Sequence, residues 1–139
     1  MSIRTITVHL FVRDVVEAGA WYERVLNVRT SDIQELSAGC RYVRIQFGVF
    51  RIILDERPSL DEQNMPLGNP FMRLELEVSR GLMDRLDQLS LPMESDDISD
   101  EQDARWVTLR DPNDNEVQIT CYSDFGRPKR PPPVLRAER

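Results

Sequence analysis

Two cysteines, a single histidine and the absence of any long apolar run set the first limits on this chain of 139 residues. Cys40 and Cys121 stand 81 positions apart with no Cys-x-x-Cys pairing, so neither a disulfide framework nor a cysteine zinc site is suggested, and both thiols read as reduced. A lone imidazole, His9, cannot supply the two histidines of a two-His, one-carboxylate iron triad, which argues against non-haem oxygen activation within one chain. No stretch approaches the ~20 apolar residues that a membrane-spanning helix needs. The opening Met1-Ser2-Ile3-Arg4-Thr5 also lacks the apolar segment of a secretion signal, and the expectation is a cytoplasmic protein without a membrane partner. There is no Gly-rich phosphate loop and no Gly-x-Ser-x-Gly elbow, and neither cysteine has an identifiable histidine partner.

What is present describes one ordinary domain, or two small subdomains sharing a core: 40% hydrophobic and 30% charged residues. The charge is unevenly spread. Residues 1–123 hold 13 arginines against 22 acids, a net of −9, whereas residues 124–139 hold five basic and two acidic residues, a net of +3. An acidic body repels phosphate backbones, so no nucleic-acid partner is expected. The end of the chain, with Pro128, Pro131, Pro132 and Pro133 among its basic residues, has too few apolar side chains to repay ordering and reads as a Pro/Arg-rich disordered tail over residues 124–139.

The hydrophobic period repeats one succession twice: a strand, a helix, then three strands. In the first copy, residues 6–12 alternate and residues 14–26 carry Val15, Ala18, Tyr22, Val25 and Leu26 at helical spacing, with Asp14 and Glu17 as a capping pair. Strands are predicted at 29–36, 41–47 and 50–55. In the second copy, residues 71–78 alternate, Ser79 caps a helix bearing Leu82, Met83, Leu86 and Leu89, and Pro92 ends it. Strands follow around 93–98, 105–110 and 116–122, the last two separated by the turn Asp111-Pro112-Asn113-Asp114-Asn115. The division is a first module over 4–57, a linker over 58–70 rich in Pro, Gly, Asn and acids, and a second module over 71–123.

Val12-Arg13-Asp14, followed by Trp21-Tyr22 and Val25-Leu26-Asn27-Val28, resembles the "V-x-D, aromatic-Tyr, Leu-Gly" opening of the vicinal oxygen chelate superfamily. That superfamily includes glyoxalase I, extradiol dioxygenases, fosfomycin-resistance enzymes and bleomycin-resistance proteins. Residues 109–119 resemble its closing "DP-x-G-N" strand, so the match spans about residues 4–122. Asn27 and Asp114 replace glycines of the pattern, and both residue types tolerate left-handed backbone. The resemblance implies an α+β fold of two tandem β-α-β-β-β modules whose mixed sheets curl into a cup, a glyoxalase/bleomycin-resistance-like fold, with the helices outside. The alternation agrees. Val8, Leu10 and Val12, with Val43, Ile45, Leu74, Leu76, Val107, Leu109, Val117 and Ile119, make apolar faces for the helices. The opposite faces carry Thr7, His9 and Phe11, then Tyr42, Arg44 and Gln46, then Arg73, Glu75 and Glu77, and finally Trp106, Thr108, Arg110, Glu116, Gln118, Thr120 and Tyr122.

In metal-using relatives, ligands project from the first and last strands of each module, positions that the motif carries onto Thr7, Arg73, Gln118 and a residue near Ile53. An arginine does not lose its proton at any working pH and repels a cation, so the usual site reads as dismantled. A shifted set, His9, Glu75, Glu116 and Gln118, is the alternative and would take one divalent ion such as Zn, Ni or Mn. Moving ligands two residues along a strand displaces them by about 6.6 Å, so the whole set would have to slide as a unit. The plainer reading of His9 is a neutral histidine hydrogen-bonded inside the cup. The acidic run 94–103 reads as a solvated loop, or as an attractor for a cationic ligand.

Two functions therefore stand side by side. One is metal-free binding of a small molecule, with Phe11, Tyr42, Trp106 and Tyr122 stacking a planar ligand and His9, Arg73, Glu75 and Gln118 orienting it. The other is a metal-dependent lyase or isomerase of the glyoxalase type, rather than an extradiol dioxygenase, built on His9. A homodimer is expected by resemblance.

Overall fold

The computed structural model describes residues 2–35, 39–57 and 73–122. The first half forms β1 (Ile6–Val12), α1 (Val15–Leu26), β2 (Gln34–Glu35), β3 (Arg41–Phe47) and β4 (Phe50–Glu56). The second forms β5 (Arg73–Glu77), α2 (Arg80–Leu89), β6 (Ser95–Ser99), β7 (Ala104–Arg110) and β8 (Glu116–Tyr122). Each half is a four-stranded mixed sheet, ordered β1-β4-β3-β2 and β5-β8-β7-β6, with β1 parallel to β4 and β5 parallel to β8. This is the expected α+β repeat of two β-α-β-β-β modules. The linker over 58–70 and the tail over 124–139 lie outside the described residues.

Local sequence explains most boundaries. Asp14 caps α1 by accepting from the Val16 and Glu17 amides at 2.8 and 3.3 Å, and Asn27 ends the helix in the left-handed region at φ 55°. Ser79 caps α2 by accepting from the Leu82 amide at 3.3 Å. The helix stops at Ser90, φ 53°, whose amide donates to the Asp87 carbonyl, so the terminator is this left-handed serine and not Pro92.

The strand predicted over 29–36 is mostly absent from the described residues: only Gln34 and Glu35 pair with β3, and Thr30 makes a single bridge to Ile45. Ser31 still donates its amide to the Arg44 carbonyl at 2.9 Å, but its hydroxyl takes the place of a backbone carbonyl in accepting from the Arg44 amide at 2.9 Å. Ser31 Oγ and Gln34 Nε2 both donate to the Asp32 carbonyl, a local alternative to the ladder. The acidic run is also ordered differently from a solvated loop. It carries β6, and Asp96 is bonded to Arg105 while Glu94, just before the strand, is bonded to Arg110.

The apolar faces are buried against the helices as predicted. Val12, Val15, Tyr22, Ile45, Ile52, Leu54, Leu86, Leu109, Val117 and Ile119 are all closed to solvent, which removes most of their apolar area from water. The modules meet through α1 against α2 and through the β7–β8 turn, and among the described residues the two sheets share no hydrogen-bonded strand pair.

Asp111, 4% exposed, is the hub of that seam. It accepts from the Tyr22 hydroxyl at 2.7 Å, from the Asn113 and Asn115 amides at 2.8 and 2.9 Å, and from Asn115 Nδ2 at 2.9 Å. Asn113 Oδ1 accepts from the Arg13 amide at 2.6 Å, while its buried Nδ2 has no partner. Burial, then the Asp111 charge, pushes the Tyr22 hydroxyl well above its ordinary value. Asp114 takes φ 66°, a left-handed conformation that aspartate tolerates better than most residues. From α2, Arg85 adds a bond to the Arg24 carbonyl at 2.7 Å, satisfying the C-terminal end of α1.

Candidate functional site

Pairing register places the polar-face residues in rows across each sheet. In the first module the rows are Thr7–Arg51–Gln46, His9–Ile53–Arg44 and Phe11–Asp55–Tyr42. In the second they are Arg73–Glu116–Arg110, Glu75–Gln118–Thr108 and Glu77–Thr120–Trp106. Residues directly opposite share a face, so each row is a set of neighbours. His9 and Glu75 occupy matching places, as do Thr7 and Arg73, and Ile53 and Gln118.

In the first module His9 Nδ1 donates to Asp55 Oδ2 at 2.5 Å. Asp55 is 6% exposed, whereas the His9 side chain is 56% exposed, so a buried carboxylate holds a ring whose Nε2 is accessible. Arg57 lies over the Phe11 ring at 5.2 Å, a cation–π contact. Arg51 Nε donates to Gln46 Oε1 at 3.0 Å, and the Arg44 guanidinium has no hydrogen-bond or ion-pair partner among the described residues.

In the second module Arg73 donates to Glu116 at 2.5 Å and to Glu75 at 3.4 Å, and Glu116 also accepts from Arg110 at 3.3 Å. Arg110 reaches on to Glu94 at 2.5 Å. These bonds raise the Arg73 pKa, chiefly through Glu116, and the Arg110 bond lowers that of Glu94. Thr108 is buried and accepts from the Ser95 hydroxyl at 2.9 Å, while Gln118 and Trp106 are half-buried and Tyr122 is exposed.

The structure thus brings His9, Phe11 and Tyr42 together on one sheet and Arg73, Glu75, Trp106, Gln118 and Tyr122 on the other. Among the described residues, the hydrogen bonds and ion pairs of these side chains stay within their own sheet. Two surface clefts, of about 540 and 300 Å³, lie beside the helices, and none of the eight candidates lines either.

The metal positions carried by the motif do not suit a divalent cation. Arg73 is itself a cation already bonded to two carboxylates, and Ile53 is apolar and buried. Among the described residues no three His, Cys, Asp or Glu side chains gather as a metal site, so the shifted set around His9 is not assembled within one chain. Asp55 is the residue that sequence reasoning missed. Its signal was the alternation of residues 51, 53 and 55, which puts the carboxylate on the same face as His9.

Neither a protein-family profile nor a curated protein sequence matches the chain. Solved structures do. A glyoxalase / bleomycin resistance protein from Catenulispora acidiphila aligns at TM-score 0.62 and 16% identity over 84% of this chain and 96% of that one. A lactoylglutathione lyase from Agrobacterium tumefaciens aligns at 0.56 and 18%, over 87% and 95%. The fosfomycin resistance protein FosX from Listeria monocytogenes aligns at 0.61 and 12%, over 87% and 93%. The chain therefore has the fold of the glyoxalase / bleomycin resistance protein, the lactoylglutathione lyase and the fosfomycin resistance protein.

Proposed function

We propose that this chain binds a small molecule between the polar faces of a first and a second module, without a divalent ion at the positions the superfamily uses. The observation that carries this reading is the Arg73 guanidinium, ion-paired to Glu116 and Glu75 where a ligand to a cation would stand. Phe11, Tyr42, Trp106 and Tyr122 supply stacking surface, and His9, Arg73, Glu75 and Gln118 supply orientation.

The two faces are complementary in charge. The first carries Arg44 and Arg51 beside the His9–Asp55 pair, while on the second Glu75, Glu77, Glu116 and the edge-strand Asp97 outnumber Arg73 and Arg110. A two-fold homodimer that sets each first module against its partner's second module would make two equal hollows. The free thiols Cys40 and Cys121 suit a cytoplasmic setting.

A second reading, a metal-dependent lyase or isomerase, is favoured by the Asp55–His9 bond, since metal-binding histidines usually donate their other ring N–H to such a carboxylate. In a dimer, His9 of one chain could then join Glu75, Glu116 and Gln118 of the other. One structure of FosX, at TM-score 0.57 and 10% identity, is complexed with Mn(II) and sulfate.

Elemental analysis of protein purified without chelators separates the two, combined with light scattering and a thermal-shift screen of small aromatic and acidic metabolites. The expected result is metal-free dimer that a ligand stabilises. Stoichiometric metal that disappears in His9→Ala would overturn the metal-free reading.

A further inference from the structure

We propose that His9, held by Asp55, is a general base that takes a proton from the carbon beside the keto group of a short-chain oxo acid, whose carboxylate is received by Arg44. This deepens the small-molecule reading and rests on the same polar face being a ligand site. Three observations meet in the middle row of the first sheet.

The Asp55 carboxylate is buried and accepts from Nδ1, which fixes the tautomer and leaves the Nε2 lone pair outward. A histidine present only to satisfy that carboxylate would have no need of an accessible second nitrogen, yet this side chain is 56% exposed and Nε2 has no partner among the described residues. On the other side of the row the Arg44 guanidinium is likewise unpaired among the described residues. Between them lies Ile53, 7% exposed, an apolar floor.

Neighbouring strands stand about 4.8 Å apart, so the His9 and Arg44 backbones are about 10 Å from each other. That span, reduced by the two side chains, suits a ligand of a few carbons with a carboxylate at one end. Arg51, in the adjoining row, adds positive charge near the developing enolate.

In the step itself the Nε2 lone pair takes the C–H proton and the C–H electron pair moves into the enolate. Asp55 stays ionised and steadies the imidazolium through Nδ1–H. Return of a solvent-derived proton to carbon restores the oxo acid, so no oxidant or metal is consumed.

The test uses pyruvate in D2O, with loss of its methyl proton signal followed by NMR in the presence of the full chain. The expected result is exchange faster than in buffer, and a return to the buffer rate in His9→Gln. Asp55→Asn should lower turnover about a hundredfold with KM little changed, as for a positioning residue. Arg44→Gln should raise KM about tenfold, as for a lost charge-assisted contact. Because the chain has one histidine, ¹⁵N-histidine labelling reads this ring alone, and a protonated Nδ1 is expected in the wild type and not in Asp55→Asn.

An exchange rate equal to buffer, or one unchanged in His9→Gln, overturns the proposal. If Asp55→Asn fails to fold, the exposed-side His9→Gln carries the test. A ring shift on adding pyruvate without exchange overturns the base and leaves ligand binding standing. Neither shift nor exchange overturns the oxo-acid site, and the thermal-shift screen then judges the binding reading separately.

Discussion

The central strand β4 of the first sheet keeps its two carboxylates under cover, whereas the strands of the second sheet display theirs. Asp55 and Glu56, at 6% and 5% exposure, sit against β1 and α1, where Glu56 accepts from the Val15 amide at 3.0 Å and from Arg41 at 2.7 and 2.8 Å. In the same topology the second module spreads Glu75, Glu94, Asp96 and Glu116 across an arginine lattice on its surface. A buried acceptor that loses its partners is costly, whereas exposed pairs are screened by water and salt. One sheet has therefore made the ionic groups of its central strand part of its framework, and the other has left those of its strands as a charged surface.

The sharpest way to break this contrast is at the seam where both modules depend on one buried carboxylate. Asp111→Ala strands the Tyr22 hydroxyl, two backbone amides and an Asn115 amide, and should lower unfolding stability by about 3 kcal/mol or more in urea titrations.

Next in size is Glu56→Ala, which leaves the Val15 amide unsatisfied and should lower stability by about 2 kcal/mol. Glu56 also gives the contrast a pH signature. Its folded pKa lies below the ordinary 4.5, chiefly because Arg41 donates to it, so the unfolded chain takes up the proton more readily. Its contribution is complete above pH 4.5 and disappears as the pH falls through the lower folded value. Acid titration of Glu56→Gln should therefore show a shallower loss than the wild type.

The smallest effect belongs to the displayed lattice. Arg105 bonds Asp87 and Asp96 at 2.9 Å, but those acids are 47% and 40% exposed, so Arg105→Ala should lower stability by only about 0.5 kcal/mol, less at high salt. A large loss there, or a small one at Glu56, would erase the distinction between the modules.

Much of the fold was legible because the period of each element was strong. The residues of α1 recur at helical spacing behind an aspartate cap, and β3 and β8 match their predicted bounds. The misses have local causes. Residues 29–36 hold β-tolerant side chains, but at Ser31 the side-chain hydroxyl, and not the backbone carbonyl, accepts from the Arg44 amide, so the ladder to β3 is broken there. Ser90 ends α2 through a backbone state that composition does not encode, ahead of the proline that attracted attention.

At the site, the face of each candidate residue followed from alternation, so His9, Arg73 and Gln118 fell where expected on their strands. Asp55 did not stand out, because β4 is central in its sheet and its Ile52-Ile53-Leu54 run reads as uniformly apolar. Glu56 lay one residue beyond the predicted strand end, and Asp111 read as an ordinary turn residue. Their roles come from partners 41 and 89 positions away, which no local window contains.

The Asn113 side chain that grips the Arg13 amide belongs to a turn 100 residues further along the chain. During synthesis, then, the start of the first helix has to wait for the penultimate strand to emerge before its entry is locked. Loop closure over such a distance slows the final step of maturation and makes it depend on an intact carboxy-terminal third. A chain cut short before that turn would be left with a nearly complete first repeat lacking its last fastening.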